Sequence, residues 1–120
     1  CTKVGRAGEA APLLCIPTVA GTPKRFNELF GTETLTEAHY FGDVALAKAE
    51  NLDLTWLSQA GQTLNLPLLC QFLSFCLAQL EVSPENVALF FVEPPDATAE
   101  GRAALAAALF TDLRVPFLFF

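Results

Sequence analysis

The chain of 120 residues has the length of one domain, yet 52% of it is hydrophobic and only 17% is charged, which is apolar for so short a polypeptide. A domain of this size hides only about two-thirds of its surface, so the excess apolar surface is expected to face other polypeptide. The formal charge of −6, with basic residues scattered and only Lys24 and Arg25 adjacent, argues against direct nucleic-acid binding, which needs clustered cations.

No apolar run approaches the roughly 20 residues of a membrane-spanning helix, so no membrane role is expected. The chain has no Met, opens on Cys1 in what reads as mid-strand, and closes on the apolar run Val115 to Phe120. It is therefore expected to be an incomplete α/β unit of a larger protein, holding no complete catalytic site by itself. The cysteines are Cys1, Cys15, Cys70 and Cys76, and none forms a C-x-x-C pair. With the single His39 in a polar loop, metal-ligand spacing is missing, and no catalytic nucleophile is assigned. The four are read as reduced, buried structural thiols of an intracellular protein.

Cys1 to Gly5 reads as a short strand that runs into a tight turn bracketed by Gly5 and Gly8. Leu13 to Ile16 is a second strand, ended by Pro17. Thr18 to Thr22 is extended, with Gly21 and Pro23 expected to break it. From Lys24 to His39 the periodicity is weak, and the segment reads as a mobile insertion. Tyr40-Phe41-Gly42-Asp43 punctuates, and Val44 to Ala49 is expected to make one or two helical turns. Leu52, Leu54 and Trp56 alternate with Asp53 and Thr55, the period of a half-buried strand.

The second half is more regular. Asn65 is a candidate N-cap, and Pro67 is tolerated in the first turn of the helix that follows. Leu66, Leu69, Phe72, Leu73, Cys76, Leu77 and Leu80 recur at helical spacing, while Leu68, Cys70 and Phe75 lie off that stripe. A helix apolar nearly all round is buried on more than one side. Val87 to Val92, an apolar run without alternation, is predicted to be a central parallel strand covered on both faces. Asp96 or Thr98 caps a helix over 99–113 with a core stripe of Leu105, Leu109, Phe110 and Leu113. Val115 to Phe120 supplies the next strand. The strand–helix–strand order is a right-handed crossover with parallel strands, and the first half is expected to add antiparallel strands to the same sheet.

Four patches in this order carry a resemblance. Lys3-Val4-Gly5-Arg6-Ala7-Gly8-Glu9 with Pro12 resembles a K-x-G-x-A-G-(D/E)-x-x-P hairpin. Ile16-Pro17-Thr18-Val19-Ala20-Gly21 with Pro23 resembles its x-P-(S/T)-x-x-G-x-P exit. Tyr40-Phe41-Gly42-Asp43-Val44-Ala45 is similar to a Y-V-G-D-E-A element. Val82-Ser83-Pro84-Glu85, Val92-Glu93-Pro94-Pro95, Arg102, Phe110 and Val115-Pro116 follow V-x-P-E, T-E-x-P, N-R and V-P signals in unbroken register. Each patch is weak alone, and together they are specific. Across essentially its whole length the chain resembles the N-terminal part of actin and the actin-related proteins.

The resemblance implies an α/β, actin-like ATPase (ribonuclease H-like) fold. Residues 1–23 and 50–120 would belong to the first large subdomain, and 24–49 to the small inserted subdomain with a segment like the DNase-binding loop. It implies ATP or ADP with Mg2+ or Ca2+ as cofactors, with Lys3 aligned with the lysine that reaches the phosphates. The segment Trp56 to Gly61 lacks the family's Y-P-I-E-H-G loop. Leu68, Cys70, Phe72 and Phe75 replace charge on the first long helix, so Leu68 and Phe75 are expected to dock partner chains.

These departures point to a divergent actin-like or actin-related protein, at most a weak ATPase, serving as a structural or regulatory subunit of an assembly in the cytoplasm, the cytoskeleton or the nucleus. Expected partners are other protein subunits, actin and actin-related proteins among them. Two other readings stay open: a nucleotide-free pseudo-actin scaffold, and a sugar-kinase-like phosphotransferase of the same superfamily.

Overall fold

The computed structural model describes residues 1–24, 37–59, 62–63 and 65–120. Strands β1 (Thr2–Val4) and β2 (Leu14–Ile16) form an antiparallel hairpin in which Thr2 faces Ile16, Lys3 faces Cys15 and Val4 faces Leu14. Gly8 turns the chain with a φ of +87°, a conformation that an L side chain resists. β3 (Val19–Pro23) lies between β4 (Tyr40–Phe41) and β5 (Leu52–Trp56), antiparallel to both. Gly21 and Pro23, expected to break this segment, are paired within it. A Cβ on Gly21 would stand 2.6 Å from Leu52 Cδ1, so the glycine makes room for its neighbour. A short helix, α1 (Gly42–Ala47), follows β4 directly. Gly42 begins it at a φ of +63°, and a Cβ there would lie 3.3 Å from Ile16 Cβ.

β6 (Ser58–Gln59) and β7 (Gln62–Thr63) make a small antiparallel ladder before the long helix α2 (Leu66–Gln79). Asn65 caps α2 as expected, its Oδ1 accepting from the Leu68 N–H at 3.1 Å, and Pro67 sits in the first turn where its missing N–H costs nothing. β8 (Ala88–Phe90) pairs in parallel with β9 (Phe117–Phe119) across α3 (Ala99–Ala108). Thr98 provides the cap of α3, accepting from the Gly101 N–H at 3.0 Å. The helix ends in a wider π-type turn, Leu109–Leu113. That turn keeps Leu105, Leu109 and Leu113 on one buried stripe and turns Phe110 outward, because a π-type turn holds more residues than an α turn.

Two further expectations are corrected. Among the described residues the strands fall into four separate hydrogen-bonded groups, so the first-half strands do not pair with β8 and β9. Nor are β8 and β9 covered on both faces. Leu89, Phe91, Leu118 and Phe120 pack inward against the main core. On the outer face Phe90, Phe117 and Phe119 are exposed. A continuous apolar run is the pattern of a strand with two buried faces, whereas the described residues supply cover for one.

The main core gathers Ile16, Ala20 and Leu57 from the first half with the buried side of α2 and the stripe of α3. A second, smaller cluster joins Val19 of β3, Ala45 of α1 and Leu52 of β5, with Tyr40 and Leu54 packed against it. Residues 25–36, most of the insertion expected over 24–39, lie outside the described residues, as do Ala60 and Gly61. No helix among the described residues is long and apolar enough to cross a membrane.

Candidate functional site

The hairpin β1–β2 carries the one cation singled out from the sequence. Strand alternation places Lys3 and Cys1 on one face, with Cys15 directly across the ladder from Lys3. Lys3 is exposed, and among the described residues no carboxylate lies within ion-pair distance of it. Gly5 allows the two arms of the hairpin to close, since a Cβ there would meet Pro12 Cα at 3.0 Å. Thr2 Oγ1 reaches Thr18 Oγ1 at 2.6 Å, tying the start of β1 to the chain just after β2.

Two open grooves of about 810 Å³ each flank this strand. One runs between the hairpin, the inner residues Leu73 and Leu77 of α2, and β8, with Lys3 on its rim. The other passes Thr2, Thr18 and Ser58 toward Glu93, Asp96 and Arg102. There Arg102 grips Glu93 with two hydrogen bonds, Nη2 to Oε1 at 2.6 Å and Nε to Oε2 at 3.0 Å. The Glu93 carboxylate raises the guanidinium pKa, through its hydrogen bonds first and its charge second. The Arg102 guanidinium also lies 5.9 Å from the centre of the Phe120 ring. Glu93 thus braces the start of α3 against the β8–β9 end.

Leu68 and Phe75 sit elsewhere. Leu68 is buried, as are Cys70 and Phe72, and Phe75 is half-buried. Phe41 of β4 covers this side of α2, its ring 6.0 Å from that of Phe72 and 5.4 Å from that of Phe75. Leu68, Cys70 and Phe72 of this face are therefore core residues, while Phe75 stays half-buried against Phe41. The reason is local: the Tyr40-Phe41-Gly42 element folds back over the helix, a contact that helical periodicity alone does not reveal.

The cysteines divide into two kinds. Cys70 and Cys76 are buried thiols as expected, but Cys1 and Cys15 are exposed. Burial pushes the Cys76 thiol up to about 11. Burial, with the Asp112 carboxylate as the smaller influence, raises Cys70 as well. A thiol whose folded pKa exceeds its unfolded value favours the folded state while it is protonated in both. This contribution to stability is therefore expected to be constant below about pH 9 and to be lost as pH rises toward 11, where the unfolded thiol ionises first. Denaturant midpoints measured across that range check this, and Cys76→Ala is expected to flatten the slope.

A family model described as Actin matches residues 1–120. The chain belongs to the actin family. The mixed α/β architecture agrees with an actin-like fold, and the four sequence patches lie within that one match. Proteins of the actin family bind a nucleotide together with a divalent cation. On the hairpin, Lys3 is exposed and has no carboxylate within ion-pair distance among the described residues. No group of three or more His, Cys, Asp or Glu suited to a metal ion occurs among the described residues.

Proposed function

We propose that this actin-family chain belongs to a divergent actin-like subunit of a multi-protein assembly, one that binds ATP or ADP with Mg2+ or Ca2+ and hydrolyses it weakly or not at all. The observation that carries this reading is Lys3: exposed, without a carboxylate partner among the described residues, and on the rim of a groove at the glycine-turned hairpin. The bound nucleotide would supply the polyphosphate charge. Lys3 would hold one phosphate oxygen by a charge-assisted hydrogen bond and help fix the hairpin against it.

The division into 1–23 with 50–120 and an inserted 24–49 is part of the same reading. The small cluster of Val19, Ala45 and Leu52 joins Ala45 of that insertion to the strands that flank it. Partners are other protein subunits, with actin or actin-related proteins among them, in the cytoplasm, the cytoskeleton or the nucleus. Leu68 lies in the core, and Phe75, half-buried beside it, is the residue of the pair that would meet a partner chain.

Removing a hydrogen bond to a charged group loses about 1.5–3 kcal/mol, which corresponds to a roughly ten- to hundredfold weaker complex. Calorimetric titration of ATP with magnesium into the full-length protein is expected to show that loss on Lys3→Ala and partial recovery on Lys3→Arg. Equal affinities for wild type and Lys3→Ala would remove Lys3 from the site.

A further inference from the structure

The two exposed cysteines are the feature that the nucleotide reading leaves unused. Cys1 Sγ and Cys15 Sγ stand 2.7 Å apart across the β1–β2 hairpin. A disulfide bond is about 2.05 Å long, so bonding needs the sulfurs to approach by only about two-thirds of an ångström. Lys3 faces Cys15 in the ladder and Cys1 lies two residues before Lys3, which makes the thiols diagonal neighbours on one strand face. The Thr2–Thr18 hydrogen bond holds the start of β1 against the segment after β2. Both thiols are open to reagents in solvent, whereas Cys70 and Cys76 are enclosed in the core.

We propose that Cys1 and Cys15 are a redox modification site, forming a reversible cross-strand disulfide by exchange with a low-molecular-weight disulfide of the glutathione class. The thiolate of Cys1 attacks one sulfur of the small disulfide and expels the other as a thiolate, leaving a mixed disulfide on Cys1. The thiolate of Cys15 then attacks the Cys1 sulfur and expels the second small thiolate. The two protein thiols give up two electrons and two protons, which leave with the small disulfide as two thiols. The product staples β1 to β2 beside Lys3, closing a loop that separates the two cysteines by 14 positions. The buried Cys70 and Cys76 take no part, since their raised pKa values keep the reactive thiolate scarce. The proposal is independent of whether nucleotide binds.

The test treats the native full-length protein with excess oxidised glutathione, blocks remaining thiols, and maps the products by mass spectrometry of a non-reduced tryptic digest. Cleavage after Lys3, Arg6 and Lys24 separates the cysteines into different peptides. The expected product is the peptide ending at Lys3 linked to residues 7–24 in most molecules, with Cys70 and Cys76 free. Reduction should split it. Cys15→Ser is expected to stop at the intermediate, with one glutathione retained on Cys1. Glutathione retained separately on Cys1 and Cys15 of the wild type would overturn the proposal, as would both thiols remaining free or Cys1 linked to a different cysteine.

Discussion

Phe72→Ala is expected to lower folding stability by about 3–5 kcal/mol, the range for truncating a fully buried phenylalanine. Phe72 is 0% exposed at the centre of α2, where the Phe41 ring meets it edge-on. Its neighbour Leu68 is also in the core. Leu68→Glu places an unpaired carboxylate in that core, a cost at least as large as the cavity. Equilibrium denaturation should therefore rank wild type well above Phe72→Ala and Leu68→Glu, with Leu68→Glu extensively unfolded. The same series separates core from docking surface. If Leu68→Glu folded with wild-type stability, the side chain would have to be free for a partner after all.

Strong binding of a hydrophobic dye to the 120-residue chain is the second expected result. Phe90 is 66% and Val92 80% exposed, and Phe117 and Phe119 lie beside them at 63% and 55%. The parallel register sets Phe90 against Phe119 and Ala88 against Phe117, so the aromatic side chains form one apolar patch and not scattered single residues. Patches of this kind draw dye, partner protein or a second copy of the chain. Dye fluorescence should fall several-fold in a Phe90→Asp, Phe119→Asp double variant whose near-ultraviolet dichroism is unchanged. Undiminished fluorescence in that variant would show that the dye reports a loosened core, since a molten state binds dye wherever packing has failed.

Local signals in the sequence carried far. Asn65, Pro67 and the apolar spacing of Leu69, Phe72, Leu73 and Cys76 located α2, because capping and helical period are short-range properties. Gly8 and Gly42 were legible through their motifs, and both have positive φ where a side chain would be strained. The period of two in Leu52, Leu54 and Trp56 located β5, although Trp56 ends half exposed. What stayed hidden depends on contacts between distant segments. Phe41 covering Phe75 and Leu52 filling the space above Gly21 each join residues too far apart for one window of sequence to contain. The exposed face of β8–β9 was hidden for a different reason. An uninterrupted run such as Val87 to Val92 fits two buried faces, and it does not say whether the cover comes from the same chain.

The candidate site was legible only in part. Lys3 stood out through its place in the hairpin motif and occupies an exposed strand position. Glu93 and Arg102, nine positions apart in the fourth patch, form an ion pair. Their spacing had registered as family pattern without its physical meaning, which is to fasten the strand exit to the first turn of α3.

The most direct measurement of the central claim is equilibrium dialysis of the full-length protein against labelled ATP with magnesium, with turnover followed in the same cell. A nucleotide-binding actin-like subunit predicts saturable retention of about one ATP per chain, with hydrolysis far slower than exchange. No retention at millimolar ATP would contradict the claim and leave a scaffold. Rapid turnover that appears only when a sugar is added would contradict it in the other direction, in favour of a phosphotransferase.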